Sequence, residues 1–403
     1  MSRIKNIEVF EIGEPSGNSS SPWSSLLLLL KLTTEDGFVG WGEAPTELMA
    51  LPVYEELREV GRIFQDREVT EVRKNLEEVY KHEYWLPLSM QTTAALSAFE
   101  MASWDATGRI YGMPVHKIFG GQFHKKVRAY ANAWYDNCVD PDDFVKKAKR
   151  AGRLGFTAIK FDPFGDAFDN IDNEHMKHAV DIISALKQEM PDIDLLIECH
   201  GRFNANSAIR IAKSIEKFNP MFMEEPVHPD QVEGLVRFRE KSDITVALGE
   251  RVLNRNLMMR FLKENLTDVI QPDIANFTGM MEGYTTAMTA RSFGIEVAYH
   301  NAYGPIQNSA SLNLDFTIPN FLIQESFESF WPAWKRELIS RSNFILENGY
   351  FSVVNNIPGL GVDINEKVVE KYTVKSMGPF VPDEPGWVVK GTYLTKKNES
   401  RIT

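Results

Sequence analysis

The sequence predicts an α/β fold, a closed parallel barrel of alternating strands and helices with an α+β unit attached. Three observations carry that expectation. The 403 residues exceed one ordinary compact domain and suit a barrel-sized domain with an attachment. The first 125 residues mix strand and helix periods. Beyond them, short β-rich runs recur at the spacing of βα units.

In chain order, residues 4–11 and 25–33 read as strands. TEDGFVGWGEA (34–44) reads as the turn and second arm of a hairpin, with Asp36-Gly37 at the turn. The leucine run Leu26–Leu30 falls far short of the ~20 residues of a membrane helix and reads as a buried strand. Helical spacing extends from Val53 to Tyr84 and from Thr92 to Tyr111, where Gly112-Met113-Pro114 stops it. Strands followed by helices make an α+β unit, placed at residues 1–125.

The barrel is placed at 126–364. Its strands are VRAYANAW (127–134), AIKFDP (158–163), LLIECHG (195–201), MFMEEPV (221–227), TVALGE (245–250), VIQPDI (269–274), EVAYHNA (296–302) and FLIQESF (321–327). Their starts are 31, 37, 26, 24, 24, 27 and 25 residues apart, with helical stretches between most of them. An open doubly wound sheet shares this rhythm; the barrel is preferred because no Gly-rich phosphate fingerprint follows the first strand. The tail from about Asn365 is polar with short-strand character and is expected to return to the N-terminal unit.

Composition narrows the partners. With 44 Lys+Arg against 56 Asp+Glu the net charge is −12, which lacks the basic footprint of a nucleic-acid or anionic-membrane binder. A small anionic substrate is still allowed, since a bound cation reverses the local field. The opening MSRIKNIEVFEIGE shows no apolar core flanked by positive charge, so no secretory signal is expected. Cys138 and Cys199 lack CxxC spacing, which argues against a disulfide scaffold and a thiolate zinc site and fits a reducing cytoplasm.

Catalytic groups of a barrel sit at the C-terminal ends of its strands. Read in order, those ends carry Lys160 and Asp162, Glu198 and His200, Glu224-Glu225, Glu250, Asp273, His300 and Glu325. A single acid there ordinarily caps the following helix. Glu198, Glu224 and Glu250, however, are each 26 residues apart, which puts three carboxylates side by side on one rim. Unpaired, they would repel and take up protons; a hard divalent cation, Mg²⁺, resolves the conflict. Sequence alone leaves Glu224 against Glu225 open. Strand alternation puts Glu198 and His200 on one face. Asp273 and His300 come from neighbouring strands, the arrangement in which a carboxylate activates an imidazole as a general base. His200 and His300, four strands apart in a ring of eight, are expected to face each other across the pocket. His175 and His178 show a ligand-like spacing but read as a solvated helix face, with no third ligand nearby.

These features, together with ALSAFEMASWDATGRIYGMPVHKIFGG (95–121), resemble the enolase superfamily in its mandelate racemase branch. The runs AIKFDPFGD, IECHGRFNANSAI, FMEEPVHPD, ALGER, IQPDIANFTG, YHNAYGPIQN and PGLGVDINEK are similar to those of archaeal-type gluconate/galactonate dehydratases within it. The resemblance implies a modified TIM barrel, (β/α)₇β, capped by an α+β domain from the N-terminus and residues 365–403. It implies Mg²⁺ held by Glu198, Glu224 and Glu250, and loss of water from a sugar acid to give a 2-keto-3-deoxy acid. His300, held by Asp273, is then the base and His200 the acid for the leaving hydroxyl. Glu325 hydrogen-bonds the substrate carboxylate and Lys160 offsets its charge. A cytoplasmic homo-oligomer acting on a small acid sugar is expected.

Two departures stand out. The first ligand is Glu198 where the family usually has Asp. Strand two reads Lys160-Phe161-Asp162, without the second lysine that racemases of the branch use as a base. An acid-sugar racemase or epimerase working through His200 and His300 is the alternative of the same class, and a non-catalytic sugar-acid binder the alternative of another. Cap loops near Pro15–Ser25 and Thr46–Pro52 are expected to close over the substrate. Trp331 and Trp334 are candidates either for lining the pocket or for core packing.

Overall fold

The computed structural model describes residues 2–13, 26–45, 50–82, 89–277 and 279–374. Strands β1 (Ile4–Gly13), β2 (Leu26–Thr34) and β3 (Val39–Ala44) form an antiparallel sheet in that order. The β2–β3 hairpin turns at Gly37, whose φ of 86° suits glycine. The leucine run lies in the middle strand, and both faces of that strand are buried. Leu28, Leu30 and Leu32 pack on the helices of this unit, while Leu27 and Leu29 join the cluster that contains the barrel. An unbroken apolar run is what a doubly covered strand requires.

Helix α1 (Ala50–Phe64) and helix α2 (Val72–His82) occupy the stretch of helical spacing from Val53 to Tyr84. The chain breaks between them because Asp66 turns at φ 62° and the segment pairs with β1, Ile4 N–H donating to Arg67 O at 2.8 Å. Helix α3 (Met90–Tyr111) is capped by the Ser89 hydroxyl and ends on Gly112 at φ 65°. It presses so closely on β3 that a Cβ on Gly42 would lie 2.0 Å from Ala98 O. Helix α4 (Val115–Ile118) leads to the barrel.

The barrel runs β4 (Lys126–Ala131), α5 (Pro141–Arg153), β5 (Ala158–Phe161), α6 (Asn173–Glu189), β6 (Asp194–Glu198), α7 (Ala205–Ile215), β7 (Phe222–Glu224), α8 (Val232–Arg239), β8 (Val246–Leu248), α9 (Arg255–Lys263), β9 (Val269–Ile270), α10 (Met280–Arg291), β10 (Glu296–Val297), α11 (Pro305–Asp315) and β11 (Gln324–Ser326). Consecutive strands from β4 to β10 pair in parallel. The ring closes because β11 pairs with β4 and Val297 bridges to Phe321, both in parallel. That closure separates a barrel from an open sheet. Asp140, Asp172, Asn204 and Asn254 cap α5, α6, α7 and α9 by accepting a backbone N–H three residues on.

After β11, α12 (Ala333–Glu337), β12 (Ile339–Ser342), β13 (Phe344–Glu347), β14 (Tyr350–Val353), β15 (Val362–Ile364) and α13 (Glu366–Tyr372) complete the described chain. The short strands come before Asn365, and β14 pairs antiparallel with the N-terminal half of β4, at Lys126–Arg128. The tail opens as a helix, not as strands, because Val368 and Val369 are buried on one side of it. It does reach the N-terminal sheet, where Val374 N–H donates to Glu11 O at 2.8 Å. Among the described residues no helix is long and apolar enough to cross a membrane.

Candidate active site

One apolar residue from each barrel strand segment (Tyr130, Ala158, Leu196, Phe222, Ala247, Val269, Ala298 and Ile323) belongs to a buried cluster of its own. Two residues further along each strand the pleat returns to the same side. That next layer reads Asn132, Lys160, Glu198, Glu224, Gly249, Gln271, His300 and Glu325. Seven polar side chains above an apolar floor make the site. Gly249 is the exception, since a Cβ there would lie 2.6 Å from the Gln271 backbone, and Glu250 follows it.

Glu198, Glu224 and Glu250 each bring one carboxylate oxygen within 4.8 Å of the others, a group able to hold a metal ion. The set is all oxygen, as hard divalent cations prefer. Burial, and then the neighbouring Glu198, push Glu224 well above the usual carboxylate range. Burial raises Glu250 as well. Burial works against Glu198 too, but His200 and Lys160 outweigh it and hold that group low. This is the crowding of charge that a cation relieves.

Lys160 is buried in the midst of these acids, its Nζ 3.2 Å from Glu198, 2.8 Å from Glu224 and 2.9 Å from Glu325. Burial lowers its affinity for a proton, yet Glu224 and Glu325 more than compensate and keep it charged. Glu325 also accepts from Asn132 Nδ2 at 2.7 Å and from Asn301 N–H at 2.8 Å. Gln271 Nε2 donates to Glu224 at 2.7 Å. Glu225, adjacent to Glu224 but turned at φ 41°, instead receives Arg251, which also pairs with Glu250.

Two histidines border the triad, each backed by an aspartate. His300 Nδ1 lies 2.5 Å from Asp273 Oδ2 and its Nε2 3.1 Å from Glu250. Burial disfavours the imidazolium, but Glu250, Glu325 and Asp273 together hold the His300 pKa well above its ordinary value. Asp273 Oδ1 accepts from Ala275 N–H, Asn276 N–H and Gln307 Nε2 at 2.7, 3.1 and 2.9 Å. His200 Nδ1 lies 2.7 Å from Asp162 Oδ2, and Asp162 is gripped by Arg202 Nη2 at 2.8 and 2.7 Å.

The structure therefore brings Glu198, Glu224, Glu250, Lys160, Glu325, Asp273, His300 and His200 to one end of the ring. The reason expected for His200 does not hold. Strand β6 stops at Glu198, and His200 sits in a left-handed turn at φ 51°, with its N–H on Glu198 Oε1 at 2.6 Å and its ring set by Asp162. His175 lies half-buried in the first turn of α6, where Asp166 and Asp172 clamp it at 2.7 and 2.9 Å. Trp334 is 1% exposed and packs against Tyr372, a core position. Trp331 is buried as well. Of the expected cap loops, residues 14–25 and 46–49 lie outside the described residues, and 50–52 open α1. Asp162, Arg202, Gln271, Asn132 and Gln307 had been given no role from the sequence.

Residues 143–368 match the family model described as enolase C-terminal domain-like. Residues 20–120 match the mandelate racemase/muconate lactonizing enzyme N-terminal domain. The chain belongs to the enolase superfamily. Within it, this superfamily member is 48% identical to a D-gluconate/D-galactonate dehydratase of Picrophilus torridus, over 98% of this chain and all of the relative. It is 40% identical to a D-gluconate dehydratase of Thermoproteus tenax, over 98% of this chain and 78% of that one. A solved mandelate racemase/muconate lactonizing enzyme from Sulfitobacter superposes with a TM-score of 0.84 at 26% identity, covering 94% of this chain and 97% of its own.

Proposed function

We propose that the chain is a hydro-lyase that dehydrates D-gluconate, D-galactonate or both to the 2-keto-3-deoxy acid. Two aspartate-backed histidines, His200 beside Glu198 and His300 beside Glu250 of a three-carboxylate metal group, carry this reading. The names of the relatives supply the substrate class.

Glu198, Glu224 and Glu250 are the residues that would hold the cation, which we assign as Mg²⁺ from the donor chemistry. Bound there, it supplies Lewis-acid stabilisation of the charge that develops at the substrate carboxylate. His300 acts as the general base through Nε2, because Asp273 occupies Nδ1 and fixes the tautomer. The C2–H bond breaks and its proton passes to His300. Lys160 faces the growing negative charge, while Glu325, fixed by Asn132 and Asn301, in its protonated form donates to the substrate carboxylate. His200 delivers the proton that converts the departing 3-hydroxyl to water, and the enol left behind tautomerises, gaining a proton at C3 as its C2 hydroxyl gives one up, to the 2-keto acid. Asp162 holds the His200 ring for that transfer. The buried, unpaired Cys138 and Cys199 support a reducing, cytoplasmic setting.

An epimerase would also use paired bases on opposite faces. Incubating the Mg²⁺-loaded protein with a panel of acid sugars and measuring 2-keto acid separates the two. Keto-acid formation from gluconate or galactonate supports the dehydratase; recovery of inverted substrate without keto acid refutes it.

A further inference from the structure

The capping unit holds the catalytic base through the first turn of a barrel helix. Helix α11, which follows His300, has Gly304 at its N-cap and no side-chain cap of its own. A helix start left bare exposes several backbone N–H groups. Here the missing acceptor comes from the other domain. Glu43, on β3 and fully buried, accepts from Ile306 N–H at 3.1 Å and Gln307 N–H at 3.5 Å. The approach is close: a Cβ at Gly304 would lie 2.6 Å from Glu43 Oε2, so a larger residue there would displace the carboxylate.

That same turn grips the base. Gln307 Nε2 donates to Asp273 Oδ1 at 2.9 Å and to His300 O at 3.3 Å, and its Oε1 accepts from Tyr303 N–H at 3.0 Å. Lys335 on α12, also fully buried, donates to Tyr303 O at 2.8 Å and supplies the positive charge facing Glu43. We infer that Glu43 is a positioning residue, supplying the cap of α11 across the domain boundary and thereby holding Gln307 on the Asp273–His300 pair. Docking of the capping unit and readiness of the base then become one event. The inference rests on the dehydratase reading for its kinetics but not for its structural readout.

Glu100 provides the internal control. It too is a buried capping-unit acid on a barrel helix start, accepting from Met281 N–H of α10 at 2.9 Å, but that turn does not hold His300. The test compares Glu43→Gln, which replaces the carboxyl by an amide at nearly constant shape, with Glu100→Gln in the full chain with Mg²⁺. For Glu43→Gln we expect kcat and the rate of C2-proton exchange to fall together by ~10- to 100-fold, with KM within about threefold. Glu100→Gln keeps wild-type kcat. In the resting protein, the downfield proton of the short Asp273–His300 hydrogen bond, identified by its loss in His300→Asn, should shift or broaden in Glu43→Gln alone.

Wild-type kcat with an unmoved resonance in Glu43→Gln overturns the inference, as does an equal loss in both variants. Should Glu43→Gln not fold, Gln307→Leu is read by the same resonance, and an unmoved signal again overturns it. A wild-type protein inactive on every acid sugar would refute the dehydratase reading, while the resonance still decides the relay.

Discussion

Asp162→Asn separates what the second aspartate does for stability from what it does for chemistry. Asp162 is 2% exposed and Arg202 4%, and Arg202 Nη2 donates to both Asp162 oxygens at 2.8 and 2.7 Å. Neutralising the carboxylate leaves Arg202 buried with only Gly165 O, at 3.0 Å, as a further acceptor. Removing one partner of such a pair costs about 3–5 kcal/mol. Replacing both, in Asp162→Asn/Arg202→Met, should recover roughly 2 kcal/mol or more of that loss, read from urea denaturation midpoints. Activity should not follow stability. An amide cannot hold the His200 ring and tautomer as the carboxylate does, so dehydration should fall by about 10²–10⁴-fold in the single and the double variant alike. A folded Asp162→Asn enzyme within threefold of wild-type turnover would refute the reasoning, and so would a double variant as unstable as the single.

Other expectations follow from the same contacts. Chelation should abolish turnover and Mg²⁺ restore it; in a melt, Mg²⁺ at about 100 times its Kd should add ~2.7 kcal/mol. Glu224→Gln should lose that stabilisation and Glu225→Gln, whose carboxylate serves Arg251, should keep most of it. Lys160→Met leaves the carboxylates of Glu198, Glu224 and Glu325 without their shared cation. The metal-free protein should lose ~3–5 kcal/mol by denaturation, and Mg²⁺ should rescue part of it. Burial pushes Glu100 from 4.5 up to about 7. Its folded form therefore holds an extra proton, so its contribution is full below pH 4.5 and is lost as pH rises through about 7. Relative to Glu100→Gln, the wild type should gain about 3 kcal/mol between about pH 8 and pH 4.5 in parallel denaturation series.

The parts of this structure legible in the sequence are those with local period. The step of one βα unit makes Glu198, Glu250 and one of Glu224 and Glu225 legible, the resemblance alone choosing Glu224, and adjacency of strands makes the Asp273–His300 pair legible. The leucine run was recognised as a buried strand, although only the fold shows that its two faces serve different clusters. The break between α1 and α2 was missed because apolar spacing continues through it, while the turn at Asp66 depends on pairing with β1. Strand alternation does not explain the position of His200, which depends on a left-handed turn beyond the strand. Asn132 and Gln271 carried a readable signal, each lying two residues beyond an apolar inward position, Tyr130 and Val269. Arg202 and Gln307 carried none. Their partners lie 40 and 34 residues away, and side-chain hydrogen bonds at that range leave no periodic trace.

The most direct test of the two-histidine elimination is exchange of the substrate C2 proton in D₂O, followed together with keto-acid release. His300→Asn should lose both, because no group remains to take the proton. His200→Asn should lose keto-acid release while C2 still exchanges, because only departure of the hydroxyl is blocked. Exchange persisting in His300→Asn, or wild-type dehydration in His200→Asn, would contradict the assignment of base and acid.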